Sequence, residues 1–257
     1  MGFLFSRGEI RKRFLDHWHA EAPKLLNVIS GVPCPVVSRK AHIVMTTATG
    51  LDNRFLLPPF MPSGKGEDVA YGLVMGKSSR DSHIGIVPVA VLHARQTSSI
   101  REKVGAYLPV YDFLSTMIEA CTDHEYRERQ GSMEKLGTYL VECGELAIAD
   151  FKEYLKRIAV MKIKRLMGEC DRLLNEFHYE PEHWAREMRA VMKRFEQQLL
   201  RPELGLLLDL PGAEPHSRCM ALRQFVREFG ELLRTWPDIV TASLSLQRSG
   251  YRIGRQL

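Results

Sequence analysis

The chain has 257 residues, enough to bury one large core or two smaller ones, and 45% hydrophobic with 26% charged residues is typical of a folded protein. This composition excludes a disordered chain, and no apolar run approaches the roughly 18 residues of a membrane-spanning helix. The net charge of +5 and a pI near 9.0 permit an acidic partner but do not by themselves indicate one.

The termini and the cysteines predict an intracellular setting. The N-terminal segment MGFLFSRGEIRKRF has too short an apolar stretch before its charges for a secretory signal, so we expect a cytoplasmic protein. The cysteines are odd in number, lie far apart and form no C-x-x-C, so neither a disulfide framework nor a zinc site is predicted: Cys34, Cys121, Cys143, Cys170 and Cys219.

The first part of the chain, residues 1–110, is rich in Pro, Gly, Ser and Thr. Residues 9–29 predict a helix interrupted at Pro23, whereas PCPVVS and AHIVMTT predict extended chain. A short buried helix, VAYGLVM, precedes IGIVPVAVLHA, which predicts a buried strand. Strand, loop, helix and strand in this order predict an α/β layer, within a fold of the α+β or α/β class.

The second part, residues 111–257, predicts a helical bundle. Whether residues 133–177 form one long helix or two stays open, and Pro181 predicts the start of the next helix. The last helix is predicted to end before Pro237. The predicted buried positions of these helices are Leu136, Leu140, Ala147, Phe151, Leu155, Ile158, Leu166, Trp184, Met188, Val191, Phe195, Leu199, Leu222, Phe225, Phe229 and Leu233.

The stretch LDNRFLLPPFMPSGKGEDVAYG, residues 51–72, combines prolines that fix the backbone with glycines that permit tight turns. Glu67 and Asp68 directly precede the predicted helix. One interpretation is that these acids cap the helix and complement its dipole. The other is that one carboxylate takes a proton from a substrate hydroxyl as a general base.

The longer stretch TTATGLDNRFLLPPFMPSGKGEDVAYG, followed about 20 residues later by VPVAVLHA, resembles the acceptor-side half of bacterial GT-A glycosyltransferases related to the inverting family 2 enzymes. The resemblance covers about residues 40–95 and implies a partial GT-A-like α/β layer. It also implies that Asp68 is the catalytic base with Glu67 beside it, and that His93 completes a site for Mg²⁺ or Mn²⁺. By the same resemblance, the acceptor or donor pocket is lined by Asp52, Asn53 and Arg54.

These residues also suit ordinary structural roles. Asp52 and Asn53 are turn formers, and a histidine at the end of a strand, such as His93, often forms its hydrogen bonds with neighbouring protein groups.

The sequence departs from the family in one large respect. It contains no D-x-D motif, and about 40 residues before the matching region are too few for the nucleotide-binding half. We therefore expect that a partner chain supplies that half, that the chain is a remnant or fragment, or that the fold has been reused.

The leading functional hypothesis is a glycosyltransferase-like protein that moves a sugar from a nucleotide donor to a hydroxyl acceptor and is inactive as the isolated chain. The alternative is a non-catalytic helical interaction or scaffold protein derived from a glycosyltransferase. Nucleic-acid binding is not favoured, because the basic residues of KRIAVMKIKRLMG do not keep to one helical face and no aromatic residues interleave them.

Overall fold

The computed structural model of this chain describes residues 35–38, 49–62, 66–78, 83–87, 110–121, 129–177, 182–200 and 214–251. These residues are mostly helical, as predicted for the second part of the chain. Their elements, in chain order, are β1 (Val36–Ser38), α1 (Glu67–Ser78), β2 (Ile84–Ile86), α2 (Val110–Ala120), α3 (Arg129–Glu145), α4 (Ile148–Glu176), α5 (Glu182–Leu199) and α6 (Pro215–Arg248).

The described sheet consists of β1 and β2, which pair antiparallel with Val36 opposite Ile86 and Ser38 opposite Ile84. A GT-A-like layer is not shown by this small pair of strands. The prediction of a buried strand is wrong for residues 85–87, which are exposed, because two strands of three residues cannot bury both of their faces. The remaining predicted strand residues, 41–47 and 88–94, and the predicted helix 9–29 lie outside the described residues.

By their contacts the residues fall into two units, and α4 begins in one and continues into the other. One unit includes α4 from Lys152 onward together with α5. The predicted apolar stripe of α5 is confirmed there for Trp184, Met188, Val191 and Phe195, which are buried. Leu199, at the end of the helix, is only half-buried. The boundary predicted near residue 110 stays a prediction.

The other unit contains β1, β2, residues 49–62, α1, α2, α3 and α6. Helices α3 and α6 bury a side chain about every three or four residues, as expected for helices with one apolar face, whereas α1 buries the unbroken run 70–74 and α2 the run 113–118. The buried apolar residues of these helices include Ala70, Tyr71, Leu73, Val74, Phe113, Leu114, Met117, Ile118, Met133, Leu136, Leu140, Val141, Cys219, Leu222, Val226, Phe229 and Leu233.

The open question about residues 133–177 is resolved as two helices, α3 and α4, with a break at Leu146 and Ala147. Ala147 is exposed because it lies in this break, so its predicted burial is wrong. The neighbouring predicted positions Phe151, Leu155 and Ile158 are buried as expected.

Helices α3 and α6 pack closely because glycines stand where they cross. A Cβ atom on Gly137 would lie 2.5 Å from the carbonyl oxygen of Gly230 and 2.6 Å from the backbone nitrogen of Arg234. A Cβ atom on Gly230 would lie 2.7 Å from the carbonyl oxygen of Gly137. The two backbones therefore touch without any side chain between them. Further along the pair, the Arg223 Nε–H donates to the Gly144 carbonyl at 2.9 Å.

Helix α6 does not end before Pro237, contrary to the prediction, but continues through this buried proline to Arg248. Proline removes one backbone donor, yet the hydrogen bonds of the following residues continue the helix. The helix stops at Gly250, which has φ +84°. The Tyr251 N–H donates to the Leu246 carbonyl at 3.0 Å, and the Gly250 N–H donates to the Gln247 carbonyl at 3.1 Å. These two hydrogen bonds form a Schellman C-terminal cap.

In the described part of the chain, no helix combines the length and the apolar character needed to cross a membrane. The cysteines described there are buried thiols that form no disulfide with one another: Cys121, Cys143, Cys170 and Cys219. Burial raises the pKa of the Cys170 thiol to about 11.

Candidate functional site

The proline-rich loop, residues 49–62, is fixed at its second half to the helices beneath it. Pro58, Pro59 and Met61 are buried, so the backbone between them has little freedom. The Trp236 indole N–H on α6 donates a hydrogen bond of 2.7 Å to the Leu57 carbonyl. The half-buried indole N–H and the loop carbonyl thus form a hydrogen bond that attaches the loop to α6.

The same loop is also attached to α1 through two aromatic rings. Phe60 stacks on Tyr71 with ring centroids 4.1 Å apart and an angle of 11° between the planes. Tyr71 is 1% exposed, and within the described part of the chain its hydroxyl has no hydrogen-bond partner. Burial raises the pKa of Tyr71, so this side chain stays a neutral phenol over the ordinary pH range.

The predicted pair of acids stands at the start of a helix, as expected. Gly66 occupies the N-cap position: its carbonyl accepts the first helical hydrogen bond, from Ala70 N–H at 3.0 Å. Its φ of +88° is a backbone conformation that favours glycine. Glu67 and Asp68 follow in the first turn and are both half-buried.

Asp68 carries out part of the capping role and retains an available oxygen. Its Oδ1 accepts a hydrogen bond of 2.8 Å from the Val69 N–H. This bond orients the carboxylate and satisfies one of the free amides of the first turn. Among the residues that the structure describes, none donates a hydrogen bond to Oδ2.

The predicted pocket residues Asp52 and Arg54 form a pair in a turn. The Arg54 guanidinium donates from Nε to Asp52 Oδ1 at 2.9 Å and from Nη2 to Asp52 Oδ2 at 2.7 Å, and the Arg54 backbone N–H also donates to Oδ1. These hydrogen bonds lower the pKa of the Asp52 carboxyl to about 2. Asn53, between them, is exposed.

The structure brings the predicted residues together as two local pairs. Asp52 meets Arg54, and Glu67 lies beside Asp68, but no hydrogen bond or ion pair of the described residues joins one pair to the other. His93, the predicted metal ligand, lies outside the described residues. Within the ranges that are described, no group of three His, Cys, Asp or Glu side chains is arranged to hold a metal ion.

A concave region lies between the end of α2 and α3. This open groove of about 600 Å³ is not lined by any of the predicted site residues. Beside it, the Lys77 ammonium at the end of α1 donates to the Cys121 carbonyl at 3.0 Å. The residues of the groove are Ala120, Cys121, Glu134, Lys135, Thr138, Tyr139 and Glu142.

Phe60, Tyr71 and Trp236 position the candidate site but were not found from the sequence. Tyr71 and Trp236 stand in predicted helices, where an aromatic residue is most simply a core residue. The hydrogen bond of Trp236 with the loop joins residues 179 positions apart, and the spacing of residues within one segment of sequence does not predict such a contact. The double proline before Phe60 indicates from the sequence that the backbone of this loop is fixed.

No family model, curated protein or solved structure matches this chain.

Proposed function

We propose that the chain is the acceptor-side part of a glycosyltransferase, in which Asp68 takes the proton of the acceptor hydroxyl. The observation that carries this proposal is the oriented, half-buried Asp68 carboxylate at the start of α1, with one oxygen bonded to Val69 N–H. A general base needs this combination of fixed position and available lone pair. The motif GLDNRFLLPPFMPSGKGED supports the reaction type through its resemblance to GT-A enzymes.

The rigidity of the surrounding loop supports the same function. A base must stay within hydrogen-bond distance of the hydroxyl, and small displacements reduce the rate steeply. Buried prolines, the Trp236–Leu57 hydrogen bond and the Phe60–Tyr71 stack hold the loop against α1 and α6. Because the acids stand on α1, these contacts hold the loop next to the helix that carries them.

The donor side is assigned to another chain. A sugar transfer needs ligands for the nucleotide diphosphate, and in GT-A enzymes a divalent cation neutralises the leaving group. The described residues offer no metal-binding group, and the sequence has no D-x-D motif. The proposed partners are therefore a nucleotide-sugar donor, a hydroxyl acceptor and a chain with a nucleotide-binding half.

The proposal predicts that the purified chain alone shows little or no sugar transfer from nucleotide sugars in Mg²⁺ or Mn²⁺, because the diphosphate lacks most of its ligands. Adding a GT-A nucleotide-binding half with an intact D-x-D motif should restore transfer, as followed by mass spectrometry of the product. The control is the same half with both aspartates replaced by asparagine. Robust turnover by the isolated chain would contradict this division of labour.

A second candidate, a helical interaction protein, is favoured by the end of α6. After Pro237 no residue up to Tyr251 is buried, and the exposed side chains include Ile239, Leu244 and Leu246. Ile239 and Leu246 are seven residues apart and so share one face of the helix, the spacing of apolar residues that dock in a groove of another protein. Divalent-cation-dependent sugar transfer by the reconstituted pair separates the two candidates, because an interaction protein would show none.

A further inference from the structure

The Phe60 side chain turns toward solvent between two buried neighbours. Pro59 and Met61 are buried, whereas Phe60 is 40% exposed. One face of its ring stacks on Tyr71 with 4.1 Å between centroids, and Tyr71 itself is 1% exposed. The contact with Tyr71 occupies one face of the Phe60 ring, and the opposite face takes no part in this stack. The loop therefore presents a partly exposed aromatic ring on a buried aromatic support.

This surface lies close to the candidate base. Tyr71 is three residues after Asp68 and four after Glu67, so the three side chains share one face of α1 with about 5–6 Å between neighbouring Cβ atoms. The centre of the Tyr71 ring lies about 4 Å beyond its Cβ atom, so adding this length and the ring-to-ring distance of 4.1 Å places the Phe60 ring within about 14 Å of the Cβ atoms of the acids. That upper limit is the length of two to three sugar rings.

We propose that the exposed face of Phe60 is the platform on which the pyranose ring of the acceptor rests. One face of a pyranose carries mostly C–H groups, whose partial positive charge complements the negative face of an aromatic ring. Hydroxyls at the edge of a sugar donate to carboxylates, and Glu67 and Asp68 stand on the same helix as Tyr71, which supports the Phe60 ring. This inference rests on the proposed function, since it names the class of acceptor for the same site.

The platform predicts that binding of simple glycosides depends on an aromatic ring at position 60. Wild-type protein is titrated with the methyl β-glycosides of glucose, galactose and N-acetylglucosamine, and dissociation constants are measured by NMR. Phe60→Leu keeps an apolar side chain against Tyr71 but removes the flat face, so it should weaken binding between about twofold and about tenfold. Phe60→Tyr keeps the ring and should bind within about twofold of wild type.

Tyr251→Leu provides the matched control. Tyr251 is an exposed aromatic residue just beyond the end of α6, about 15 residues or roughly 20 Å along the helix from Trp236. Its replacement should leave glycoside binding unchanged. Thermal melts of all three variants establish that each is folded before its affinity is compared.

Two results would overturn the platform: no glycoside of the panel binds wild-type protein, or Phe60→Leu binds as tightly as wild type while folded. The outcome is separable from that of the proposed function. If Phe60→Leu transfers sugar with the same acceptor KM as the wild-type protein, the platform is refuted and the proposed transferase function is still supported. Glycoside binding lost in Phe60→Leu, without any transfer in the reconstituted pair, would leave a saccharide site and refute the transferase.

Discussion

Replacing Asp68 with asparagine is expected to lower sugar transfer in the reconstituted pair by about 10²–10⁴-fold while the melting temperature barely changes. The asparagine Oδ1 can accept the hydrogen bond from Val69 N–H as the aspartate does, so the helix start loses only the charge of the carboxylate, which contributes about 0.5 kcal/mol beside the helix dipole. The amide also lacks the basicity that proton abstraction requires. Initial rates of transfer and thermal melts of the two proteins measure both effects.

Asp68→Ala is the companion variant, because it removes the acceptor as well as the base. If the carboxylate only stabilises the helix start, alanine should cost about 1 kcal/mol of unfolding free energy and asparagine should leave transfer nearly intact. If Asp68 is the base, both variants lose transfer and only alanine loses stability. An active and normally stable Asp68→Asn protein would end the general-base proposal.

Replacing Gly137 with alanine is expected to destabilise the protein by about 2–3 kcal/mol, although alanine is the better helix former. The new Cβ atom would lie 2.5 Å and 2.6 Å from backbone atoms of Gly230 and Arg234, which belong to a helix and cannot rotate away as a side chain would. Helices α3 and α6 would have to separate along their length. Urea unfolding measures the loss.

Gly76→Ala is the matched control within the same unit. Gly76 is an exposed residue of α1, and a Cβ atom there would meet nothing within 4 Å. This substitution should stabilise the protein by about 0.5–1 kcal/mol, since only the helix preference and the unfolded-chain entropy change. Equal effects at the two positions would show that the helix crossing is not as close as described.

The sequence predicts the helical elements well because their signals are local. Prolines, glycines and a three-to-four-residue apolar spacing marked the start of α5 and the buried stripes of α5 and α6. Pro237 misled the prediction for α6, since a proline removes one helical hydrogen bond but does not prevent the next turns from forming. The glycine crossing of α3 and α6 was not predicted, because a glycine in a helix carries no local sign of what packs against it.

For the candidate site, the sequence located the acids at the start of α1 and a turn at Asp52 and Asn53, but not the ion pair of Asp52 with Arg54. Both depend on residues that are adjacent or nearly adjacent in the chain. The contacts that fix the loop depend on the tertiary fold, as the Trp236–Leu57 bond does. His93 lies outside the described residues, so its role in metal binding stays a prediction.

The most direct test of the central claim, that the loop and the start of α1 form the acceptor side of a sugar-transfer site, is a map of backbone amide shifts. Uniformly ¹⁵N-labelled protein is titrated with the methyl β-glycosides of glucose, galactose and N-acetylglucosamine, and chemical shifts are followed residue by residue. The account predicts saturable shifts concentrated in residues 52–60 and 66–71. Shifts confined to α4, α5 or the α2–α3 groove, or no shift with any glycoside, would contradict it.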